Sequence, residues 1–206
     1  SISQALDIRS DFLQDFEAAL YLSDEAHQRR QLNFVIVGGG PTGVELAGAM
    51  AEIRMTVLKN EYLELDSSQM MIHLIDSGDR LLKAFSEKSS AKALRYLQDM
   101  GVKVNFGARV TGFDGDRVTF LDGTHMDTNT VIWAAGVRGV CLPGLEQGFH
   151  PQANRFNVDA FNKVEGSVNV YAIGDVALMT ADPAWPKGHP QVAPAAMQQA
   201  QHLVKN

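Results

Sequence analysis

The sequence predicts an α/β fold in which helices and a small antiparallel meander accompany a parallel sheet. The first three of four apolar strand patterns alternate with helical patterns, and the four lie at residues 34–37, 70–75, 102–106 and 130–136. Between the last two, alternating runs at 108–113 and 117–121 are separated by an Asp-Gly turn, which is typical of antiparallel strands. With 206 residues, 45% of them hydrophobic, the chain is long enough to bury a core.

The first strand ends in glycines that have the spacing of a dinucleotide-binding turn. Gly38 would allow the tight turn, Gly40 would let a pyrophosphate approach the backbone, and Gly43 would let the next helix pack closely. Gly39 lies between the first two. This strand, turn and helix predict a Rossmann-like unit, and the alternative is an ordinary βαβ turn that binds no nucleotide.

The helix after this turn predicts an anion-binding N-terminus. Pro41 suits the first helical turn, where its missing N–H costs nothing. The N–H groups of residues 42–45, which include Thr42 and Glu45, would face the phosphates together with the positive end of the helix dipole. Four apolar residues share the predicted buried face of this helix: Leu46, Met50, Ile53 and Val57.

An acidic residue, Asp76, ends the second predicted strand. In this fold such a residue accepts hydrogen bonds from the adenosine ribose and disfavours the additional phosphate of NADP, so NADH is the expected cofactor. Asp76 lies 33 residues beyond Gly43, whereas the usual gap is about 20 residues. Arg80 is close enough in sequence to soften the exclusion of NADP. The alternative is that Asp76 is a plain turn residue.

The flanking segments carry further predictions. Residues 4–30 would form an amphipathic packing helix with apolar positions that include Leu20, followed by a polar linker at 23–30. A polar segment at 59–69 would precede the second strand. Ser86 would cap a helix that Gly101 stops.

The last seventy residues carry their own candidate site. Ala135 and Gly136 would leave room for a cofactor at the end of the fourth strand. Loops would follow, then a strand at 168–173 running into Gly174 and Asp175, where ligands of α/β sheets lie. A final helix from about Ala195 would direct N–H groups at an electron-rich ligand atom.

Composition excludes several classes of function. The net charge of −6 argues against a nucleic-acid surface, which needs clustered Lys and Arg. A single cysteine, Cys141, excludes an internal disulfide and a Cys-type zinc site, and the six histidines show no metal-ligand spacing. Neither an 18-residue apolar run nor a secretory signal is visible. The two ends of the sequence suggest a piece of a longer chain.

Four separated motifs resemble those of the type II NADH dehydrogenases, also called NADH:quinone oxidoreductases, within the two-dinucleotide-binding-fold flavoprotein superfamily. They occur in the family order and span nearly the whole chain, at residues 38–48, 131–138, 171–175 and 189–199. The resemblance implies a helix and linker at 1–30, an NADH-binding Rossmann-like domain at 31–136 and the C-terminal part of an FAD-binding domain at 137–206.

The resemblance also implies roles for particular residues. Gly174 and Asp175 would bind FAD, and the helix at Ala195 would point its N-terminus at the flavin. Glu45 would lie near the nicotinamide and the flavin, although it could instead hydrogen-bond backbone or ribose. Residues 193–199 would lie near the quinone, with Pro194 standing where family members often carry Gln.

Several expectations concern the whole protein. It would reduce a quinone, contact the cytoplasmic face of the inner membrane peripherally and form a homodimer. The family's N-terminal FAD motif and C-terminal membrane segment are absent from the sequence, so the chain would bind NADH without holding FAD tightly and would be inactive alone. Two alternatives stay open: a disulfide or ferredoxin reductase of the same superfamily, and an NADH-binding module without turnover. Gln198 and Gln199 would line a quinone channel or would be ordinary surface residues of a helix.

Overall fold

The computed structural model describes residues 2–19, 21–61 and 69–205. The predictions made for Leu20 and for most of the polar segment, residues 62–68, lie outside these ranges. The chain divides into two compact units, Ser1–Gly136 and Val137–Asn206. No helix in the described ranges is both long enough and apolar enough to cross a membrane.

In its described residues, the first unit combines helices with seven strands. Its helices are α1 (Ile2–Ala19), α2 (Glu25–Gln31), α3 (Pro41–Ile53), α4 (Lys59–Glu61) and α5 (Glu87–Asp99), with a π-helical turn at Arg54–Leu58. Its strands are β1 (Asn33–Val37), β2 (Met71–Ile75), β3 (Lys103–Asn105), β4 (Val110–Phe113), β5 (Arg117–Phe120), β6 (His125–Asp127) and β7 (Thr130–Trp133).

Four of these strands form a parallel sheet in the order β3-β2-β1-β7. The chain moves outward from β1 to β2 and β3, and β7 then returns to the other side of β1. The carboxyl end of β1 is therefore a topological switch point, where open α/β sheets bind their ligands. The α/β class and the four strands predicted from the sequence are confirmed.

The two faces of the parallel sheet are covered differently. Because side chains alternate along a strand, Phe34 and Ile36 face the main core formed with α1, α3 and α5, while Val35 and Val37 face the other side. There they pack with Val118 of the antiparallel sheet β4-β5-β6. This confirms the prediction of a small meander laid across the parallel sheet.

The N-terminal segment contains one more helix than predicted. Helix α1 buries Phe12 and Phe16, and the Phe12 ring lies 5.1 Å from that of Phe34, so the packing helix is confirmed. The predicted linker at 23–30 is wrong, because α2 forms within it. The Asp24 carboxylate caps α2 by accepting a hydrogen bond of 3.0 Å from Ala26 N, and the Gln28 side chain donates to Ala19 O, so a polar stretch forms a helix here.

The buried face of α3 also departs from the prediction at its end. Met50 is buried, but Val57 is 42% exposed and Leu58 is buried in its place. The π-helical turn has a longer repeat than an α-helix, so it rotates the side chains that follow. Arg54 at its start donates to Met70 O and Met100 O. Ser86 caps α5 as predicted, accepting from Ser89 N.

The second unit is built on short elements. They are strands β8 (Phe149–His150), β9 (Arg155–Val158) and β10 (Ala177–Met179), 3₁₀ turns at Glu146–Gly148 and Gly174–Val176, and helix α6 (Ala193–Lys205). The sheet order is β10-β9-β8, with β10 parallel and β8 antiparallel to β9. The sequence predicted loops where β8 and β9 lie.

One prediction for this unit is wrong, and the final helix is confirmed with an earlier start. Residues 168–173 are not a strand: in the described part of the chain Tyr171 makes only an isolated bridge, to Lys163, and Val168 is 88% exposed. Val164 N donates to Val170 O and Ala172 N donates to Asn162 O on either side of this bridge, so the segment is paired over too short a length to form a strand. Helix α6 begins at Ala193 rather than Ala195, with Pro194 accommodated in its first turn.

Candidate functional site

The glycine turn after β1 is closed by contacts that exclude larger side chains. Gly38 has a φ of +119°, and a Cβ placed on it would lie 2.7 Å from the backbone of Ala134. A Cβ on Gly43 would lie 1.8 Å from Gly38 O, so α3 rests directly on the turn. Both positions therefore require glycine, the first for its conformation and the second for the close approach of helix and turn.

Gly40 differs from these two because the space beside it is open. Its φ of −75° is accessible to any residue, and a Cβ there would meet no atom within 4 Å. Gly40 is the N-cap of α3 and carries no capping side chain. This open backbone at a helix N-terminus leaves room for a phosphate group.

Asp76 lies against the same turn. Its carboxylate accepts one hydrogen bond of 2.7 Å from Gly39 N and another of 2.7 Å from Gly78 N. The contact with Gly78, two residues along the chain, is that of a turn residue, and the contact with Gly39 joins the end of β2 to the glycine turn. The structure thus brings together the two parts of the nucleotide motif that the sequence separates by an unusually long interval.

A cavity of about 210 Å³ opens beside this turn at the carboxyl ends of β1, β2 and β7. Its lining includes Gly38, Asp76, Trp133 and Ala135, together with one residue that sequence reasoning missed, Arg109. Nothing in the local pattern marks Arg109, because it lies at the start of the meander.

Arg80, which the sequence predicts to soften the exclusion of NADP, is directed away from Asp76. The guanidinium of Arg80 donates to Phe85 O at 3.1 Å and to Lys83 O at 2.9 Å. Arg80 therefore binds its own loop, and Arg109 is the cation that lines the cavity.

The remaining candidates of the first unit lie around the turn. Thr42 and Glu45 are exposed in the first turns of α3, and Val44 N already donates to Gly40 O at 3.0 Å. Pro41 begins the helix as predicted. Gly136, with a φ of +99°, follows Ala135 on the exposed chain after β7, and a Cβ on it would meet no atom within 4 Å.

In the second unit, two glutamine side chains bind the Gly174–Asp175 turn. Gly174, with a φ of +70°, donates its N–H to Gln199 Oε1 at 2.6 Å. Asp175 is exposed, and its backbone carbonyl accepts a hydrogen bond of 3.0 Å from Gln191 Nε2. The N–H of Ala195, predicted to face a ligand, donates to Val192 O at 3.0 Å.

His189 continues this set of contacts. Its Nδ1 lies 3.1 Å from Gln199 Nε2, and its Nε2 lies 3.1 Å from Asp182 Oδ2. Hydrogen bonds from Ala184 N and from His189 hold the pKa of Asp182 below its ordinary value. Arg155, whose pKa burial lowers, donates to His189 O at 3.0 Å. Gln199 is only 5% exposed and is therefore not a surface residue of α6.

Comparison with known proteins decides the family. The family model for pyridine nucleotide-disulphide oxidoreductases matches residues 4–200. The chain belongs to this family. Members of the pyridine nucleotide-disulphide oxidoreductase family that resemble it include the type II NADH:quinone oxidoreductase Ndh of Mycobacterium tuberculosis, which is 33% identical over 211 residues. The Haemophilus influenzae type II NADH:quinone oxidoreductase is 32% identical over 179 residues. The resemblance predicted from the sequence is confirmed.

Solved structures agree with this assignment. The structure of NDH2 from Plasmodium falciparum in complex with NADH matches with a TM-score of 0.76 and 26% identity, over 87% of this chain and 39% of that one. A putidaredoxin reductase complexed with putidaredoxin matches with a TM-score of 0.61 and 22% identity, which shows the shared fold alone. The chain spans less than half of its relatives: alignment covers 98% of it but 44% of the mycobacterial protein, and 85% of it but 39% of the Haemophilus protein.

Proposed function

We propose that this chain supplies the NADH-binding domain, at residues 31–136, and part of the FAD-binding domain, at 137–206, of an NADH:quinone oxidoreductase. The whole enzyme would transfer a hydride from NADH to FAD and pass the electrons to a quinone. The observation that carries the proposal is the glycine turn, open at Gly40 and closed at Gly38 and Gly43, at the switch point of a parallel sheet. The proposed reaction is supported by the relatives, which are named type II NADH:quinone oxidoreductases.

Asp76 would bind the adenosine ribose of NADH. An ionised carboxylate offers about four lone-pair sites, and the N–H groups of Gly39 and Gly78 use two of them. The remaining sites are free to accept ribose hydroxyl groups without loss of the contact that holds the turn. The negative charge would repel the 2′-phosphate of NADPH, which Arg109 in the same cavity would in part offset.

Glu45 would act near the nicotinamide. It lies in the first turns of α3, directly after the glycine turn. Its exposure leaves it accessible to a cofactor that lies across the turn. The exposed Ala135 and Gly136 carry no large side chain that would obstruct such a cofactor.

Three residues of the second unit would hold FAD. The exposed Asp175 carboxylate fits hydroxyl groups of a ribityl chain, and Gly174 lets the chain turn beside it because its φ is positive. Ala195, in the first turn of α6, would approach the flavin ring. When bound, FAD supplies a two-electron acceptor, and the protein contributes position and electrostatics.

The setting of the whole enzyme belongs to the same proposal. A quinone would accept the electrons near residues 193–199, where the exposed Gln198 is available and Pro194 replaces a common glutamine. The full-length protein would be a homodimer bound peripherally at the cytoplasmic face of the inner membrane.

The experiment that tests the proposal is calorimetric titration of the 206-residue chain with NADH, NADPH and FAD in turn. We expect NADH to bind, NADPH to bind more weakly, and FAD to bind little or not at all. The variant Gly40→Val is the negative control. Its side chain would fill the open side of the turn, so NADH binding should be lost while circular dichroism shows that the sheet stays folded. Tight FAD binding, or no NADH binding by the folded chain, would contradict the assignment of the glycine turn to NADH.

A further inference from the structure

The Gly174–Asp175 turn is bound through α6 to a histidine. Gln199 reaches it from the middle of the helix, where its side chain is 5% exposed, and a Cβ on Gly174 would lie 3.2 Å from Ala196 Cβ. The turn and the helix therefore lie close together as well as being hydrogen-bonded. The same Gln199 amide touches His189, so one side chain joins the turn to a titratable group.

The hydrogen bond between Gly174 and Gln199 determines the direction of the other two hydrogen bonds in this series. Gly174 offers only a donor, its N–H, so Gln199 must present Oε1 to it. The other end of the amide is then Nε2, a donor, so His189 Nδ1 must be unprotonated. The proton of neutral His189 is consequently on Nε2, where it is donated to Asp182. Every donor in this chain of contacts faces an acceptor.

We propose that Gln199 is a positioning residue that couples the protonation of His189 to the Gly174–Asp175 turn. Addition of a proton to Nδ1 places an N–H against the Gln199 NH₂ group. If the amide keeps its orientation, the contact with His189 is lost. If the amide rotates, two donors meet at Gly174. In either case protonation of His189 removes one of the two hydrogen bonds of the Gln199 amide: the bond to Gly174, or the bond that fixes the side chain which holds Gly174. The consequence for FAD rests on the proposed function of this turn.

The charged groups around His189 come from several elements. Asp182, in the loop after β10, lies 3.1 Å from His189 Nε2, and the Arg155 guanidinium from β9 donates to the His189 carbonyl. Asp175 lies close enough to act on Arg155. His202 of α6 lines the same cavity of about 450 Å³ as His189. Substitutions at Gln199 leave all four of these groups in place.

The test is NMR of the 206-residue chain between about pH 5 and pH 8, a range that spans the ordinary pKa of histidine. In the wild type we expect the neutral His189 ring to carry its proton on Nε2. We also expect the Gly174 amide signal to shift with the same midpoint as His189. In Gln199→Leu the Gly174 signal should no longer follow the protonation of His189. The Gly174 amide hydrogen should exchange with solvent roughly fivefold faster than in the wild type, the change expected when one hydrogen bond is lost. Gln201→Ala, at an exposed position of the same helix, should behave as the wild type.

Gln199→Glu separates coupling from simple packing. A carboxylate can accept from Gly174 N–H and from a protonated Nδ1 at once, so the variant should raise the pKa of His189 and keep the Gly174 amide protected when His189 is charged. A role limited to filling space would give the opposite order, with Leu retaining protection and Glu losing it. That order, or a wild-type Gly174 signal that does not follow His189, would overturn the proposal. Circular dichroism checks that each variant is folded.

Flavin binding is measured separately. In the full-length enzyme FAD should dissociate faster from Gln199→Leu than from the wild type or Gln201→Ala, as followed by flavin fluorescence. If the wild type holds no FAD, the proposed function fails while the coupling seen by NMR stands. If FAD release is the same in all three proteins, its link to Gln199 fails and the proposed function stands.

Discussion

Replacement of Gly43 by alanine tests how closely α3 packs on the glycine turn. The added Cβ would lie 1.8 Å from Gly38 O and 3.1 Å from Gly38 C. Separation to an ordinary contact requires the start of α3 to move by about 1 Å or more. The helix is not free to move, because Ala47 and Met50 on the same face are buried.

The size of the effect follows from this restraint. Overpacking of a tight core typically costs about 1–3 kcal/mol, and since the clash is with backbone rather than with a flexible side chain we expect the upper end, about 3 kcal/mol. For a domain of this size that corresponds to a fall of roughly 6–12 °C in the melting temperature. Urea unfolding followed by circular dichroism measures the loss, with the denaturant slope unchanged.

Gly40→Ala is the matched control for this experiment. It also adds one methyl group to a glycine of the same turn, but the added Cβ meets no atom within 4 Å and the φ of −75° suits alanine. Its stability should stay within about 0.5 kcal/mol of the wild type. Equal stability of Gly43→Ala and the wild type, or equal losses in both variants, would refute the account of the turn.

Four further predictions concern other positions. Asp76→Arg should weaken the binding of NADH and strengthen that of NADPH, as titration with both nucleotides would show. An unchanged preference for NADH would contradict the assignment of Asp76 to the ribose. Arg109→Ala should weaken binding of NADPH more than that of NADH, with Arg80→Ala as the control that leaves both unchanged. Burial and Lys103 lower the pKa of His73 to about 4 from 6.5, so His73 is neutral in the fold and charges on unfolding. Stability should therefore be complete above about pH 6.5 and decline towards pH 4, by about 2 kcal/mol after allowance for screening, and His73→Leu should flatten this part of a urea-unfolding pH series. Ser86→Ala should cost about 1 kcal/mol through loss of the α5 N-cap, which thermal unfolding measures.

Local patterns predicted much of the first unit. The strand at 34–37, the glycine turn and the Ser86 cap are each specified by neighbouring residues, so sequence reasoning found them. The polar run at 23–30 lacks apolar periodicity, which favours a linker, yet a helix forms there with Asp24 as its cap and with Gln28 bonded to Ala19 O. The position of Leu58 was missed because a π-helical turn changes the repeat on which periodicity depends.

Contacts between distant segments were harder to predict. Arg80 is near Asp76 in sequence but binds its own loop, whereas Arg109 reaches the cavity from the meander. The sequence leaves Gln199 either on the surface or in the lining of a quinone channel, and its burial against Gly174 depends on how α6 docks. Such pairings depend on side-chain direction in the assembled fold, for which residue spacing carries no signal.

The two hydrogen bonds of Asp76 bear on how fast a nucleotide can bind. Because this carboxylate already holds Gly39 and Gly78, the loop has its shape before any ligand arrives. A preorganised loop loses little conformational entropy on complex formation and needs no slow rearrangement before docking. Nucleotide association should therefore be a single step whose rate rises linearly with concentration, and changes in affinity among variants that keep Asp76 should appear mainly in the rate of nucleotide release.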